Sequence, residues 1–138
     1  MTVADFVYDA VHQLNDDGQH DLVLSKTTLK GTVQWLDTFN LSATTANMLL
    51  GDMTVDGNGD IIITGAVYNG TNNYDVITVK YTGAGVLSWH QLYNGSASSY
   101  DGGLRVITDS CNNIYVSGGA TSTSNAMDLL ILAYNSAG

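Results

Sequence analysis

Carboxylates are the most numerous reactive groups in this chain, and all 13 acidic residues are aspartate. Asp56, Asn58 and Asp60 place an oxygen-bearing side chain at every second position, which matches the opening of a calcium loop. The same Asp-Gly-Asn-Gly-Asp string is also what a tight hairpin turn requires, because short Asp and Asn side chains bond their own backbone and Gly accepts positive φ. No Glu follows at the bidentate calcium position, and the related turn after Asp109 carries Cys111 where the first has Asn58. Calcium is the one cofactor for which these residues make a case, and the turn is the plainer reading.

Other reactive groups are scattered. His12, His20 and His90 stand in none of the spacings that zinc ligands adopt. A serine nucleophile would need a G-x-S-x-G elbow, and Ser96 in Gly95-Ser96-Ala97-Ser98 lacks the second glycine. A hydrolase or lyase therefore has no catalytic constellation to rest on. The aromatic residues Trp35, Trp89, Tyr68, Tyr93 and Tyr100 offer ring faces on which sugars stack, and rings of this kind also pack strands together. Sequons at Asn40, Asn69 and Asn94 are acceptors on a glycosylating route, and Asn-Gly pairs at two of them also read as turns.

These residues belong to a repeat. Asp21 to Lys26 recurs as Asp75 to Lys80, and Gly31, Trp35 and Asn40 recur as Gly85, Trp89 and Asn94, all displaced by 54 positions. Asp56, Gly65, Asp75 and Tyr81 return as Asp109, Gly118, Asp128 and Tyr134 at a displacement of 53. A period of this size marks one supersecondary unit stacked on its neighbours, and the single-residue change in displacement places a loop between Asn40 and Asp56. Within a unit, short apolar or β-branched runs alternate with Asp-Gly and Asn-Gly turns: Ile61 to Tyr68, Tyr74 to Tyr81 and Val86 to Tyr93 in the second, and Leu104 to Thr108, Ile114 to Ser117 and Asp128 to Tyr134 in the third. Such spacing predicts antiparallel meanders and an all-β fold.

Composition narrows the partners. The chain of 138 residues is 44% hydrophobic and 12% charged, which suits a folded core. A net charge of -9 with four basic residues argues against nucleic acid and anionic membranes, since both require clustered Lys and Arg. No apolar run approaches the length that spans a bilayer, and the start MTVADFVYDAV has no signal-peptide pattern in this form. The lone Cys111 has no partner within the chain.

The series Asp75-x5-Tyr81-x3-Gly85-x3-Trp89-x3-Tyr93-Asn94-Gly95, then Asp101 and Asp109-x3-Asn113-Ile114-Tyr115-Val116-x-Gly118, resembles the SBBP (seven-bladed beta propeller) repeat family over about two and a half units. The resemblance implies four-stranded β-propeller blades, divided as a partial blade 1–46, a full blade 47–100 and a partial blade 101–138. It also implies an exported or cell-surface protein with an adhesive, binding or scaffolding role. Leu104 to Thr108 would be an innermost strand and Val86 to Tyr93 an outermost one, with 3 + 4 + 3 strands in all. A ring needs about 4 to 8 blades, so the expectation is an incomplete ring that associates with copies of itself, through open edges, or belongs to a longer propeller. A glycan-binding lectin is the alternative expectation.

Overall fold

The computed structural model describes residues 2–3, 5–16, 18–41, 47–68, 73–97, 99–124 and 126–138. Among these residues eleven strands follow one another: β1 (Thr2–Val3), β2 (Phe6–Leu14), β3 (His20–Thr28), β4 (Val33–Phe39), β5 (Met48–Val55), β6 (Ile61–Tyr68), β7 (Tyr74–Tyr81), β8 (Leu87–Tyr93), β9 (Asp101–Thr108), β10 (Ile114–Thr121) and β11 (Met127–Tyr134). There is no helix among the described residues. Every pairing is antiparallel and every strand lies beside its neighbour in sequence, giving the sheets β1-β2-β3-β4, β5-β6-β7-β8 and β9-β10-β11.

The three sheets do not divide into uniform four-stranded units. The middle one has four full strands, the first begins with a strand of two residues, and the third has three strands. Turn chemistry sets the meander. In each of the turns at 28–32, 56–60 and 82–86 a glycine holds positive φ, namely Gly31 at 85°, Gly59 at 83° and Gly85 at 83°, a conformation that a side chain disfavours.

Period-2 alternation decides which way each side chain points. On β6 and β7 the odd positions Ile61, Ile63, Val67, Ile77, Val79 and Tyr81 pack with Tyr8, Leu22, Leu24 and Phe39 of the first sheet. The even positions Ile62 and Val76 pack instead with Val106, Ile114, Val116 and Leu130 of the third. The middle sheet is thus covered on both faces, which is why β6 and β7 read as nearly unbroken apolar runs.

Sequence reasoning starts the first strand of the third sheet at Leu104 and ends its second at Ser117; the strands run from Asp101 and on to Thr121. Glycine suggests a break, but here it permits contact between backbones. A Cβ on Gly118 would lie 2.0 Å from the Gly102 carbonyl oxygen, and one on Gly103 would lie 2.1 Å from Thr64 Oγ1 of the middle sheet. The loop expected between Asn40 and Asp56 falls partly on residues 42–46, outside the described residues, as do the sequon at Asn69 and part of that at Asn40.

Candidate functional site

The two tryptophans do the same thing at successive sheet junctions. Trp35 on β4 donates from Nε1 to the Gly83 carbonyl oxygen at 3.3 Å, and Lys26 on β3 donates from Nζ to the same oxygen at 3.2 Å. One repeat later, Trp89 Nε1 and Lys80 Nζ both donate to the Ser136 carbonyl oxygen, at 3.3 and 3.4 Å. The first and middle sheets each therefore grip the turn that follows the third strand of the next sheet. The ring closes over a glycine in that turn: a Cβ on Gly85 would sit 2.6 Å from Trp35 Cδ2, and one on Gly138 would sit 3.1 Å from Trp89 Cδ2. Lys26 also lies 4.3 Å above the Phe6 ring, an attraction of cation to π-face. Both indoles, expected as sugar platforms or packing groups, are engaged in joining sheets.

A second link reinforces the first junction. Tyr81 is 1% exposed; burial, then the hydrogen bond and negative charge of Asp37 on β4, push its phenol far above the ordinary value. In the third sheet Tyr134 packs on Trp89 with ring centroids 5.7 Å apart, and burial likewise raises its pKa.

The expected calcium residues form a closed turn around a lysine. Asp56 Oδ1 accepts the backbone N–H groups of Asn58 and Asp60 at 2.8 and 3.0 Å. Its other oxygen pairs with Lys80 Nζ at 3.0 Å, and Asp60 Oδ2 approaches the same ammonium at 3.2 Å. Asp60 Oδ1 accepts the Gly83 N–H at 3.2 Å. The charged side chains do not fit calcium, because a fixed cation already stands between the two carboxylates; Asn58 makes its contact through its backbone. Burial draws the Lys80 pKa down, but the hydrogen bonds and charges of Asp56 and Asp60 outweigh it and hold it above the ordinary lysine value. Among the described residues no three His, Cys, Asp or Glu side chains converge as a metal site.

The related turn at Asp109 is built alike without the lysine. Asp109 Oδ1 accepts the N–H groups of Cys111 and Asn113 at 2.8 and 2.9 Å, and Oδ2 accepts from Asn113 Nδ2 and from Tyr115 Oη. The Asn113 bonds come first among the causes that lower the Asp109 pKa.

Of the remaining aromatic candidates, Tyr93 packs into the core between the second and third sheets. Tyr68 and Tyr100 come together through a residue that sequence reasoning passed over: Tyr74 lies 5.4 Å from Tyr68 and 5.5 Å from Tyr100 between ring centroids. This row continues into polar groups, with Asn47 Nδ2 3.4 Å from the Tyr74 hydroxyl, Asn47 Oδ1 2.9 Å from His20 Nδ1, and His12 edge-on to His20.

No family model and no curated protein matches this chain. The repeat also defines two outermost sheet faces, the counterparts of the faces covered at the internal junctions. On the third sheet, register places Arg105, Ile107, Tyr115, Ser117, Leu129, Ile131 and Ala133 on the side away from the middle sheet. Ile107 is 63%, Ile131 66% and Leu129 80% exposed. On the first sheet, Asp9, Val11, Val23, Ser25 and Leu36 share the outward side, where Val11 and Leu36 are exposed. Leu129 and Ile131, neighbours on β11, with Ile107 on β9 across the same face, form an apolar surface suited to covering by another molecule.

Proposed function

We propose that this chain is a non-enzymatic β-propeller repeat module, resembling SBBP repeats, that works outside the cell or on its surface as a structural element assembling with further modules. Each sheet then counts as one blade. The observation that carries the reading is the recurrence of one junction: Lys26 and Trp35 hold Gly83 as Lys80 and Trp89 hold Ser136. A device used identically at successive units belongs to a stack in which each unit meets only its neighbours, and catalysis does not need one copy per unit. The terminal faces extend the same logic, since the apolar side of the third sheet corresponds to the side that its two predecessors cover.

Sedimentation equilibrium tests this. The expected mass is that of two or more copies, or of a complex with further propeller units; a stable monomer at tens of micromolar with no such partner overturns the assembly role. The row Tyr68, Tyr74 and Tyr100 supports a second reading, glycan binding, because it gathers two of the expected stacking residues beside hydrogen-bonding groups at one end of the sheets.

A further inference from the structure

We infer that the outward face of the third sheet receives the outward face of the first sheet of a second copy, so that the chain associates head to tail. This rests on the assembly reading above and names the surfaces that carry it. Within the chain, both junctions pair the same two kinds of face. The leading face carries Leu22, Leu24 and Lys26 in the first sheet and Val76, Thr78 and Lys80 in the second; the receiving sheet answers with Ile77, Val79 and Tyr81, then with Leu130, Leu132 and Tyr134. Among the described residues, no sheet covers the leading face of the third sheet or the answering face of the first.

The substitutions at these two free faces match each other. At the covered junctions a lysine meets a turn carbonyl, Lys26 with Gly83 and Lys80 with Ser136. The repeat places Ala133 at the lysine position of the free leading face and Leu29 at the turn position of the free answering face. The lysine gives way to an apolar residue on one side, while on the other the turn keeps its main-chain carbonyl and gains an apolar side chain, Leu29, which is 61% exposed. The two free faces also carry charges of opposite sign. Asp52 of the middle sheet reaches the Val106 N–H across a covered junction at 3.1 Å, whereas its counterpart on the free leading face is Arg105 and the free answering face carries Asp9. An arginine on one face and an aspartate on the other favour each other's approach and disfavour contact between like faces. Because the two faces differ, the contact is heterologous and closes as a ring or continues as a filament.

Two sets of variants test the junction. Leu129→Asp with Ile131→Asp blocks the leading face, and Val11→Asp with Leu36→Asp blocks the answering face; circular dichroism checks that each folds. Each variant alone is expected to self-associate at least tenfold more weakly than wild type, while an equimolar mixture restores a 1:1 pair through its one intact junction. Wild-type assembly that persists in the answering-face variant overturns the head-to-tail geometry but leaves the assembly role standing; a monomeric wild type overturns both. Should the charged variants fail to fold, cysteine cross-linking replaces them. In a Cys111→Ser background, Ala133→Cys chains mixed with Leu29→Cys chains are expected to cross-link with a bis-maleimide whose length matches the lysine side chain that spans the equivalent positions at the covered junctions. Cross-linking confined to identical chains, or none at wild-type assembly concentrations, overturns the inference.

Discussion

Replacing Lys80 with methionine isolates the energetics of the buried turn. The Asp56 side chain is wholly buried and that of Lys80 is 3% exposed, so Lys80→Met leaves a carboxylate in the interior without its counter-charge. Breaking a buried pair by removing one partner costs about 3–5 kcal/mol. The lower end applies here, roughly 3 kcal/mol, because Asp56 Oδ1 keeps two backbone donors that partly satisfy the charge. At roughly 3 °C per kcal/mol for a domain of this size, the melting temperature should fall by about 10 °C at neutral pH. Adding Asp56→Asn removes the stranded charge while keeping an acceptor for the turn, so the double variant should recover to within about 1–2 kcal/mol of wild type. The lysine pKa is raised on folding, so its contribution is complete below the ordinary value of 10.5 and is lost as pH climbs through the higher folded value. Urea denaturation of wild type and variant should therefore converge above that point. A Lys80→Met protein within 1 kcal/mol of wild type at pH 7, by the ~3 kcal/mol standard, would refute this account of the turn.

Two further perturbations separate local strain from contact, and scaffold from binding. Gly85→Ala and Gly31→Ala impose the same backbone strain, with φ at 83° and 85°, but only the first drives a Cβ into Trp35. Urea unfolding of dilute protein should show about 1 kcal/mol lost for Gly31→Ala and about 2–3 kcal/mol for Gly85→Ala; equal losses would mean that Trp35 does not press on the turn. If the tyrosine row binds glycans, Tyr68→Ala with Tyr100→Ala should lower binding on a glycan array at least tenfold with little change in melting temperature. A blank array for wild type removes that reading.

Most strands were legible because the repeat marks them twice; the two-residue β1, a fourth strand in a unit expected to have three, was not. Asp21 to Lys26 and Asp75 to Lys80 align residue for residue and fall on β3 and β7, and the turns at Asp56 and Asp109 announce themselves through Asp, Asn and Gly. The glycines of β9 and β10 misled at the strand ends, since local propensity does not reveal that another backbone approaches at 2 Å from where a Cβ would be. Much of the candidate site was illegible for a related reason. The group gripped by each Lys and Trp is a main-chain carbonyl, borne by Gly83 in one copy and Ser136 in the other, and carbonyls leave no trace in side-chain identity. Asp56 and Asp60 were legible as a pair of oxygens, yet their cation lies on the far side of β6, one strand removed in the chain. Tyr74 faces Tyr68 as its cross-strand partner at the end of the β6–β7 hairpin, a register that hydrophobic patterning alone does not fix, and Tyr100 reaches the pair from the start of the next sheet.

The grip of lysine and tryptophan on the following turn has a direction: a unit supplies the hand on one side and the handle on the other. Duplicating one whole period in frame would thus insert a unit whose hand finds a handle and whose handle finds a hand, with no new fit to invent. Chains of this design can lengthen by copying.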